Sequence, residues 1–210
     1  MGVDAQTIRA VLWDFGGVIL SSPFEAFAHY EERNGLPAGF IRRLNATNPD
    51  DNAWAKLERS AVSFDEFCAL FEAEAEEAGH AVDAREILSL LAGEVRPEMV
   101  EAVRRCREHC KTALLTNNFI APEGGIGLDE VLSLFDVIIE SSKAGVRKPD
   151  PRFYELACDA LGIEPNEAVF LDDLGINLKP ARAMGMQTIK VVDPADALEE
   201  LERIVGFPVR

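Results

Sequence analysis

The sequence predicts an α/β protein in which helices cover both faces of a parallel sheet and an all-helical segment is inserted after the first strand. The first observation behind this prediction is that short apolar runs alternate with helical patterns along most of the chain. The second is a long interval, residues 21–95, in which helical patterns follow one another without a convincing strand. A chain of 210 residues is long enough for such a core with a modest insertion.

The predicted strands are five short apolar runs with β-branched residues, and their continuous apolar character is typical of strands buried on both faces. They cover residues 11–13, 112–115, 137–139, 168–171 and 188–192. Helical patterns accompany the later strands over residues 97–110, 128–135, 151–161, 178–184 and 194–204. Asp150 and Asp193 each precede a proline, and a capping carboxylate followed by proline at the first helical position predicts two helix starts.

The inserted segment is too long for a simple crossover helix. It contains five helical patterns, at residues 24–34, 38–44, 52–59, 64–78 and 84–91. We therefore predict a helical subdomain over residues 21–95 and an α/β core made of residues 1–20 and 96–210. The insertion holds 15 acidic and 6 basic residues, so the negative charge of the chain is densest there.

The composition excludes several classes of partner. There are 21 Lys and Arg residues against 37 Asp and Glu, and the resulting net charge of −16 would repel a nucleic acid. No apolar run approaches the roughly 20 residues that cross a bilayer, and the N-terminus lacks the features of a secretory signal, so we expect no membrane association. Four scattered cysteines indicate neither a disulfide framework nor a zinc site, which favours a reducing cytoplasm. No pattern specifies an oligomeric state.

Polar residues follow the predicted strands at the points where those strands end. Asp14 comes directly after the first strand, Thr116 after the second and Asp172–Asp173 after the fourth, while Lys148 follows the third after a loop that contains glycine. Ligands of an open parallel sheet bind beyond the carboxyl ends of its strands. We therefore expect these carboxylates, the hydroxyl and the ammonium group to meet at one edge of the sheet.

Carboxylates in such proximity cannot all ionise unless a cation lies among them. A hard divalent ion, of which Mg²⁺ is the most plausible, would relieve the repulsion and would also neutralise an incoming phosphate. Lys148 and the Thr116 hydroxyl would then hold the phosphate oxygens of a small phosphorylated substrate. Asp14 is the candidate nucleophile, because no Ser or Cys with a neighbouring His occupies a comparable position at a strand end.

Four motifs, in order and spanning nearly the whole chain, are similar to those of the haloacid dehalogenase (HAD) superfamily. They are Asp14-Phe-Gly-Gly-Val, Leu115-Thr-Asn-Asn, Lys148-Pro and Leu171-Asp-Asp. The stretch 141–192 looks especially like the phosphatase domains that are fused to soluble epoxide hydrolase and to an acyl-CoA dehydrogenase. The resemblance implies a Rossmann-like core, a helical cap inserted after the first strand, and an aspartyl-phosphate intermediate on Asp14.

The resemblance also implies roles for individual residues. The ligands of Mg²⁺ would be Asp14, the carbonyl group of Gly16, and Asp173. Asp172 and Asn177 would be supporting residues, and Asn177 stands where many relatives carry a further acid. Phosphate contacts are predicted for Gly17, Thr116, Asn117 and Lys148.

One position departs from the pattern of phosphatases in this superfamily. They usually carry a second aspartate two residues after the nucleophile, which protonates the leaving oxygen and later activates water, whereas this chain has Gly16. Loss of a general acid and base costs about 10²- to 10⁴-fold in rate. We therefore expect substrates whose leaving group is stable as an anion, such as acyl, anomeric sugar or aryl-like phosphates, with dephosphorylation of Asp14 as a candidate slow step.

Three alternatives remain open at this stage. The first is a protein that binds metal and phosphate without turnover because Gly16 has replaced the acid. The second is a dehalogenase, although the acidic pair Asp172–Asp173 is not expected in that class. The third is a phosphonatase, which would need a cap lysine to form a Schiff base. Lys56 is the only lysine in residues 21–95, and its polar surroundings favour a solvated side chain.

The cap is expected to determine the substrate class by closing over the core. Its candidate contacts with substrate are Asn52 and Trp54, which follow a run of polar residues at 45–51. The alternative for these two residues is a turn followed by a buried helix anchor.

Overall fold

The computed structural model describes residues 7–91, 93–118 and 128–210. Five parallel strands form one sheet in the order β3-β2-β1-β4-β5, which confirms the predicted α/β class. The strands are β1 (Ala10–Trp13), β2 (Lys111–Thr116), β3 (Val137–Glu140), β4 (Ala168–Asp172) and β5 (Gln187–Lys190). The central strand β1 pairs with β2 on one side and with β4 on the other, so the ends of these three strands are neighbours.

Alternate residues of the central strand face two different hydrophobic clusters. Val11 and Trp13 belong to one cluster, which includes residues of the helices at 97–107, 128–132 and 194–205, whereas Leu12 belongs to the other, which includes residues of the helices at 151–161 and 175–183. These helices are α6 (Pro97–Arg107), α7 (Leu128–Leu132), α9 (Pro151–Leu161), α10 (Gly175–Ala183) and α11 (Pro194–Val205). Both faces of the sheet are therefore covered, and its exposed polar side chains are confined to its edges and ends.

In the described part of the chain, five helices lie between β1 and α6 and share a third hydrophobic cluster of their own. They are α1 (Phe24–Arg33), α2 (Phe40–Ala46), α3 (Ala53–Glu58), α4 (Phe64–Glu77) and α5 (Ala84–Ser89). The longest, α4, begins with a capping box in which Ser63 and Glu66 satisfy each other's backbone amides. Phe67 and Phe71 of α4 are fully buried, so the amphipathic face of this helix forms the centre of the cluster.

The two chain segments that join these helices to the core lie side by side. Leu20 and Val95 form an antiparallel bridge, and the amide of Ser21 donates to the carbonyl of Glu94 at 2.8 Å. Gly93 permits this approach, because a Cβ atom there would lie 2.7 Å from the carbonyl oxygen of Ser21. The two segments thus form a compact double connection next to the end of β1.

The predicted helix starts at Asp150 and Asp193 are confirmed, since each carboxylate accepts a backbone amide of the following turn. The prediction that the last strand extends to Val192 is wrong. The strand ends at Lys190, and Val192 is 79% exposed, so its apolar side chain does not mark a buried position. A short helix that was not predicted, α8 (Ser141–Ala144), directly follows β3. In the described part of the chain, no helix has the length and apolar character needed to cross a membrane.

Candidate active site

Asp14 lies at the carboxyl end of β1, where the chain enters a wide turn over Phe15–Ile19. Its backbone amide donates to the carbonyl of Leu171 at 2.9 Å, which continues the pairing with β4 for one residue. The carboxylate oxygen Oδ1 accepts the amide of Phe15 at 2.7 Å. Because Asp14 is only 7% exposed, its carboxylate is held in a fixed orientation at the edge of the sheet.

Among the described residues that line the carboxylate cluster, only Lys148 carries an ammonium group. Its Nζ lies 2.7 Å from Asp14 Oδ1 and 2.8 Å from Asp172 Oδ2, and the residue is 1% exposed. Burial by itself would lower the pKa of Lys148, but the two carboxylates raise it above its usual value. Lys148 is therefore a cation that links the nucleophile candidate on β1 with the acidic pair after β4.

Asn117 fixes the backbone of Lys148. Its Nδ2 donates to the carbonyl of Lys148 at 3.0 Å, and the amide of Lys148 donates to its Oδ1 at 2.9 Å. The side chain of Asn117 is thus engaged in positioning Lys148, and the predicted contact between Asn117 and phosphate stays a prediction. Thr116 is the last residue of β2, two residues after the Leu114 that pairs with Trp13, and it is 8% exposed.

Asp172 is fully buried and accepts hydrogen bonds from two groups besides Lys148. Nδ2 of Asn177 lies 3.1 and 3.0 Å from its two oxygens, and the amide of Leu174 donates to Oδ1 at 2.8 Å. Asn177 is held in turn by Tyr154, whose hydroxyl donates to the carbonyl of Asn177 at 2.6 Å. Asp172 is therefore fixed by its hydrogen bonds and in turn holds Lys148 in place.

The carboxylates of Asp14, Asp172 and Asp173 form a cluster in which one oxygen of each lies within 4.8 Å of the others. Burial raises the pKa of Asp14 to about 8, against the lowering effect of Lys148. Burial and the charge of Asp172 raise the pKa of Asp173 to about 6. One ammonium group cannot neutralise three carboxylates, so the cluster favours a further cation.

Gly17 makes room for Asp173 in this cluster. The backbone of Gly17 has a φ of +81°, and a Cβ atom there would lie 2.4 Å from Oδ2 of Asp173. Only a residue without a side chain lets the turn after Asp14 pack against this carboxylate. The three carboxylates and the backbone carbonyl groups of the turn after Asp14 offer only oxygen donors, and such a donor set fits Mg²⁺.

Gly16 has an ordinary extended conformation, with φ −72° and ψ 128°. A Cβ atom built there would meet nothing within 4 Å. The space for a longer side chain therefore exists, but the chain supplies no carboxylate from this position to act as a general acid.

The cap candidates Asn52 and Trp54 have local structural roles. Asn52 accepts the amide of Ala55 at 2.8 Å as the N-cap of α3, and its Nδ2 donates to the carbonyls of Asn45 and Thr47 at 2.8 and 2.9 Å. Trp54 is 8% exposed and packs against the aromatic rings of α4. Their contact with substrate stays a prediction, whereas the alternative of a turn followed by a buried anchor describes what both side chains do in the structure.

The cap lysine that a phosphonatase would need lies beside another acid. Nζ of Lys56 is 3.5 Å from Oδ1 of Asp51, and Asp51 itself is 81% exposed. This environment is that of a solvated ion pair on the cap.

Two arginines near the site have no counterpart in the sequence motifs. Arg96, which ends the second connection to the cap, donates to the carbonyl of Gly17 at 2.8 Å. Arg147 directly precedes Lys148 and forms an ion pair with Glu58 of the cap. The sequence shows only that Arg147 lies beside a motif and that Arg96 lies at a connection between the two parts of the chain. It does not show their partners, because both contacts join residues that are 79 or more positions apart.

The fold and this site define a hydrolase whose candidate nucleophile is a carboxylate. The chain belongs to the haloacid dehalogenase superfamily, since the model of the haloacid dehalogenase-like hydrolases matches residues 8–185. The resemblance predicted from the four motifs is confirmed.

Relatives with curated names agree with this assignment. Acyl-CoA dehydrogenase family member 10 of Mus musculus is 37% identical over 97% of this chain and 20% of its own length. Bifunctional epoxide hydrolase 2 of Sus scrofa is 33% identical over 96% of this chain and 39% of its own length. The chain thus spans less than half of either relative. Phosphatase MT3486 of Mycobacterium tuberculosis is 31% identical over 89% of this chain and 88% of its own length.

A solved structure shares the fold. It is that of a HAD family enzyme from Bacteroides thetaiotaomicron in complex with magnesium and inorganic phosphate, with a TM-score of 0.59 and 20% identity. The match covers 87% of this chain and 93% of the other.

Proposed function

We propose that this chain is a Mg²⁺-dependent phosphatase that acts on small phosphomonoesters with good leaving groups and forms an aspartyl-phosphate on Asp14. The observation that carries the proposal is the cluster in which Lys148 lies 2.7 Å from Asp14 and 2.8 Å from Asp172, beside Asp173. The superfamily membership and the relative named as a phosphatase support the same reaction class.

Each side chain has a distinct task in this reaction. Phe15 N and Lys148 Nζ both donate to Oδ1 of Asp14, so we assign the attack on phosphorus to the other oxygen, Oδ2. Lys148 and the hydroxyl of Thr116 bind phosphate oxygens and offset the charge that develops on them. The bond from phosphorus to the leaving oxygen breaks as the new bond forms. Water then attacks the phosphorus of the aspartyl-phosphate, which releases inorganic phosphate and restores Asp14.

The metal site of this proposal consists of Asp14, the carbonyl of Gly16, and Asp173, with Asp172 and Asn177 as its support. When bound, Mg²⁺ would keep the carboxylates ionised and neutralise the substrate phosphate. Gly17 leaves Asp173 the room to reach the turn after Asp14. The ion pair with Asp172 keeps Lys148 beside the nucleophile.

The open space at Gly16 defines the substrate class within this proposal. Without a carboxylic acid at this position, the leaving oxygen must depart as an anion. Acyl phosphates, anomeric sugar phosphates and aryl phosphates meet this condition better than alkyl phosphates, because their leaving groups are weaker bases.

The same observation favours a second candidate, a protein that binds metal and phosphate without turnover. The absence of a carboxylate at position 16 would then end catalysis, while the rest of the cluster retains its affinity. This candidate has the same geometry as the phosphatase, and an assay of turnover separates the two.

The test compares wild type and Asp14→Asn on acetyl phosphate and p-nitrophenyl phosphate, each with Mg²⁺ and with a chelator. The proposal expects hydrolysis that requires both Asp14 and Mg²⁺, and an Asp14→Asn rate lower by at least about 10³-fold. Phosphate binding without hydrolysis of either compound would establish the binding protein. Activity that survives Asp14→Asn would contradict Asp14 as the nucleophile.

A further inference from the structure

The cap contacts the core at a second place, away from the two connecting segments. The C-terminal end of α3 meets α8 there, with Oγ of Ser141 2.5 Å from the carbonyl oxygen of Glu58. The guanidinium group of Arg147 binds the carboxylate of Glu58 and the carbonyl of Pro49. Three polar contacts thus join this end of the cap to the core, and we call this set the α3 contact.

The core residues of the α3 contact are connected to the two segments that carry the phosphate-binding residues, Arg147 through the chain and Ser141 through a hydrogen bond. Arg147 directly precedes Lys148. Ser141 accepts the amide of Asn118 at 3.0 Å, and Asn118 lies two residues after Thr116. A movement of Glu58 relative to the core therefore acts on the segments of both Lys148 and Thr116.

The ion pair of the α3 contact is mostly shielded from water. The side chain of Glu58 is 17% exposed and that of Arg147 is 16% exposed. Burial raises the pKa of Glu58, whereas Arg147 acts to lower it. Removal of either charge would leave the other in a poorly solvated place, so the pair responds as a unit.

We propose that Glu58 and Arg147 are positioning residues that couple the placement of the cap to the placement of Lys148 and Thr116. Neither side chain needs to touch the substrate in this arrangement. Glu58 holds Arg147 by its carboxylate and Ser141 by its carbonyl, while the side chain of Asn117 holds the backbone of Lys148. The catalytic consequence rests on the proposed function, whereas the coupling itself does not.

Hydrogen exchange tests the coupling without any turnover. Glu58→Gln keeps the size of the cap side chain and removes its charge, and it should speed exchange of the core amides of Asn118 and Lys148 about tenfold. The matched control is Asp65→Asn, which removes one charge from an exposed ion pair of the cap. It should leave both amides unchanged.

Two outcomes would overturn the coupling. Exchange of Asn118 and Lys148 that matches wild type in Glu58→Gln would show that the α3 contact does not reach the core segments. If the β1 amides of Glu58→Gln also exchange faster, this variant has lost stability in general. A comparison of Arg147→Lys with Arg147→Met then decides. Arg147→Lys keeps the positive charge, so the amides of Asn118 and Lys148 should exchange more slowly in this variant than in Arg147→Met. Equal rates in the two variants would show that the ion pair does not couple the cap to the core.

Kinetics tests the catalytic consequence. For acetyl phosphate we expect Arg147→Met to lower kcat/KM by about 10- to 100-fold, with Arg147→Lys intermediate, because small displacements of Lys148 weaken phosphate binding and orientation. Unchanged kinetic constants together with faster exchange would reject the catalytic role and retain the coupling. If wild type hydrolyses no phosphate compound, the proposed function fails and the exchange result stands alone.

Discussion

Gly16 is the residue on which the substrate class depends. Its backbone angles suit any L-amino acid, and its surroundings are open to a distance of 4 Å from a Cβ atom. Gly17, one residue later, is the opposite case, because its positive φ and its contact with Asp173 require glycine. The two adjacent glycines are thus present for different reasons. The turn requires Gly17, whereas Gly16 leaves open space beside the nucleophile.

We predict that Gly16→Asp increases the hydrolysis of a poor leaving group such as an alkyl phosphate. An aspartic acid there can protonate the leaving oxygen and then activate water, which is worth about 10²- to 10⁴-fold when the geometry is right. The measurement is kcat/KM on alkyl and aryl phosphates. Gly16→Asn is the matched control, because it has the same shape without the acid. No gain of Gly16→Asp over Gly16→Asn would show that the acid is supplied from elsewhere.

Asp172 and Asp173 are neighbours with different environments. Asp172 is saturated by hydrogen bonds from Lys148, Asn177 and Leu174, whereas Asp173 lies against the glycine turn and has a raised pKa of about 6. The residue pattern shows an acidic pair after a strand, and the resemblance adds the expectation that Asp173 binds the metal while Asp172 supports it. The contact of Asp172 with Lys148 fits this supporting role, and Asp173 is the acid of the pair that we propose as a metal ligand.

At the scale of elements, helix α3 takes part in two of the proposals. Asn52 and Trp54, at its start, are predicted to contact substrate, and Glu58, at its end, belongs to the α3 contact. Its first residues follow Asn52, whose amide group joins three backbone positions, and its last residue is Glu58. A six-residue helix is too short to be stable alone, so its orientation depends on this cap and on its packing against α4.

We predict that Asn52→Ala destabilises the protein by about 1–3 kcal/mol, because it removes the N-cap of α3 and leaves two carbonyls without their donor. Thermal and denaturant unfolding measure the loss. Asn52→Asp retains the capping oxygen and loses the donor, so its stability should be intermediate. A change in KM with no change in stability would instead identify Asn52 as a substrate contact.

The ends of β1, β2 and β4 were predictable from the sequence, and with them the residues that meet at this edge of the sheet. Asp14, Thr116 and Asp172 each end a run of apolar residues, and neighbouring parallel strands bring such ends together. The partner of Arg147 was not predictable, because Glu58 is 89 residues away on a helix whose placement depends on tertiary packing. For the same reason the sequence could not show that the amide of Asn117 holds Lys148.

At the scale of the whole molecule, the net charge of −16 works against the binding of a phosphate anion. Lys148 alone reverses too little of this charge at the edge of the sheet. Burial, with a further contribution from the neighbouring carboxylates, raises the pKa values of Asp14 and Asp173, so both groups retain a proton to a higher pH than in an unfolded chain. Protons and the proposed metal ion would therefore compete for one cluster.

This competition predicts how stability depends on pH. The folded metal-free protein binds more protons than the unfolded chain between the ordinary Asp pKa of 3.8 and the raised values of about 6 and about 8. The free energy of unfolding should therefore fall as pH rises through this window. Mg²⁺ needs the ionised carboxylates, so the increase in Tm that it causes should be small at pH 5 and large at pH 8.

Repulsion across the acidic surface also grows with pH, so the local contribution must be isolated by a pair of variants. Asp173→Asn removes one ionisable group from the cluster, and Glu199→Gln removes the same charge from the exposed face of α11. In the metal-free protein, Asp173→Asn should gain stability relative to Glu199→Gln as pH rises from 5 to 8, because it no longer has to release a proton from a buried site. It should also lose the Mg²⁺-dependent increase in Tm. Equal pH profiles for the two variants would mean that Asp173 does not belong to the cluster that binds protons and metal.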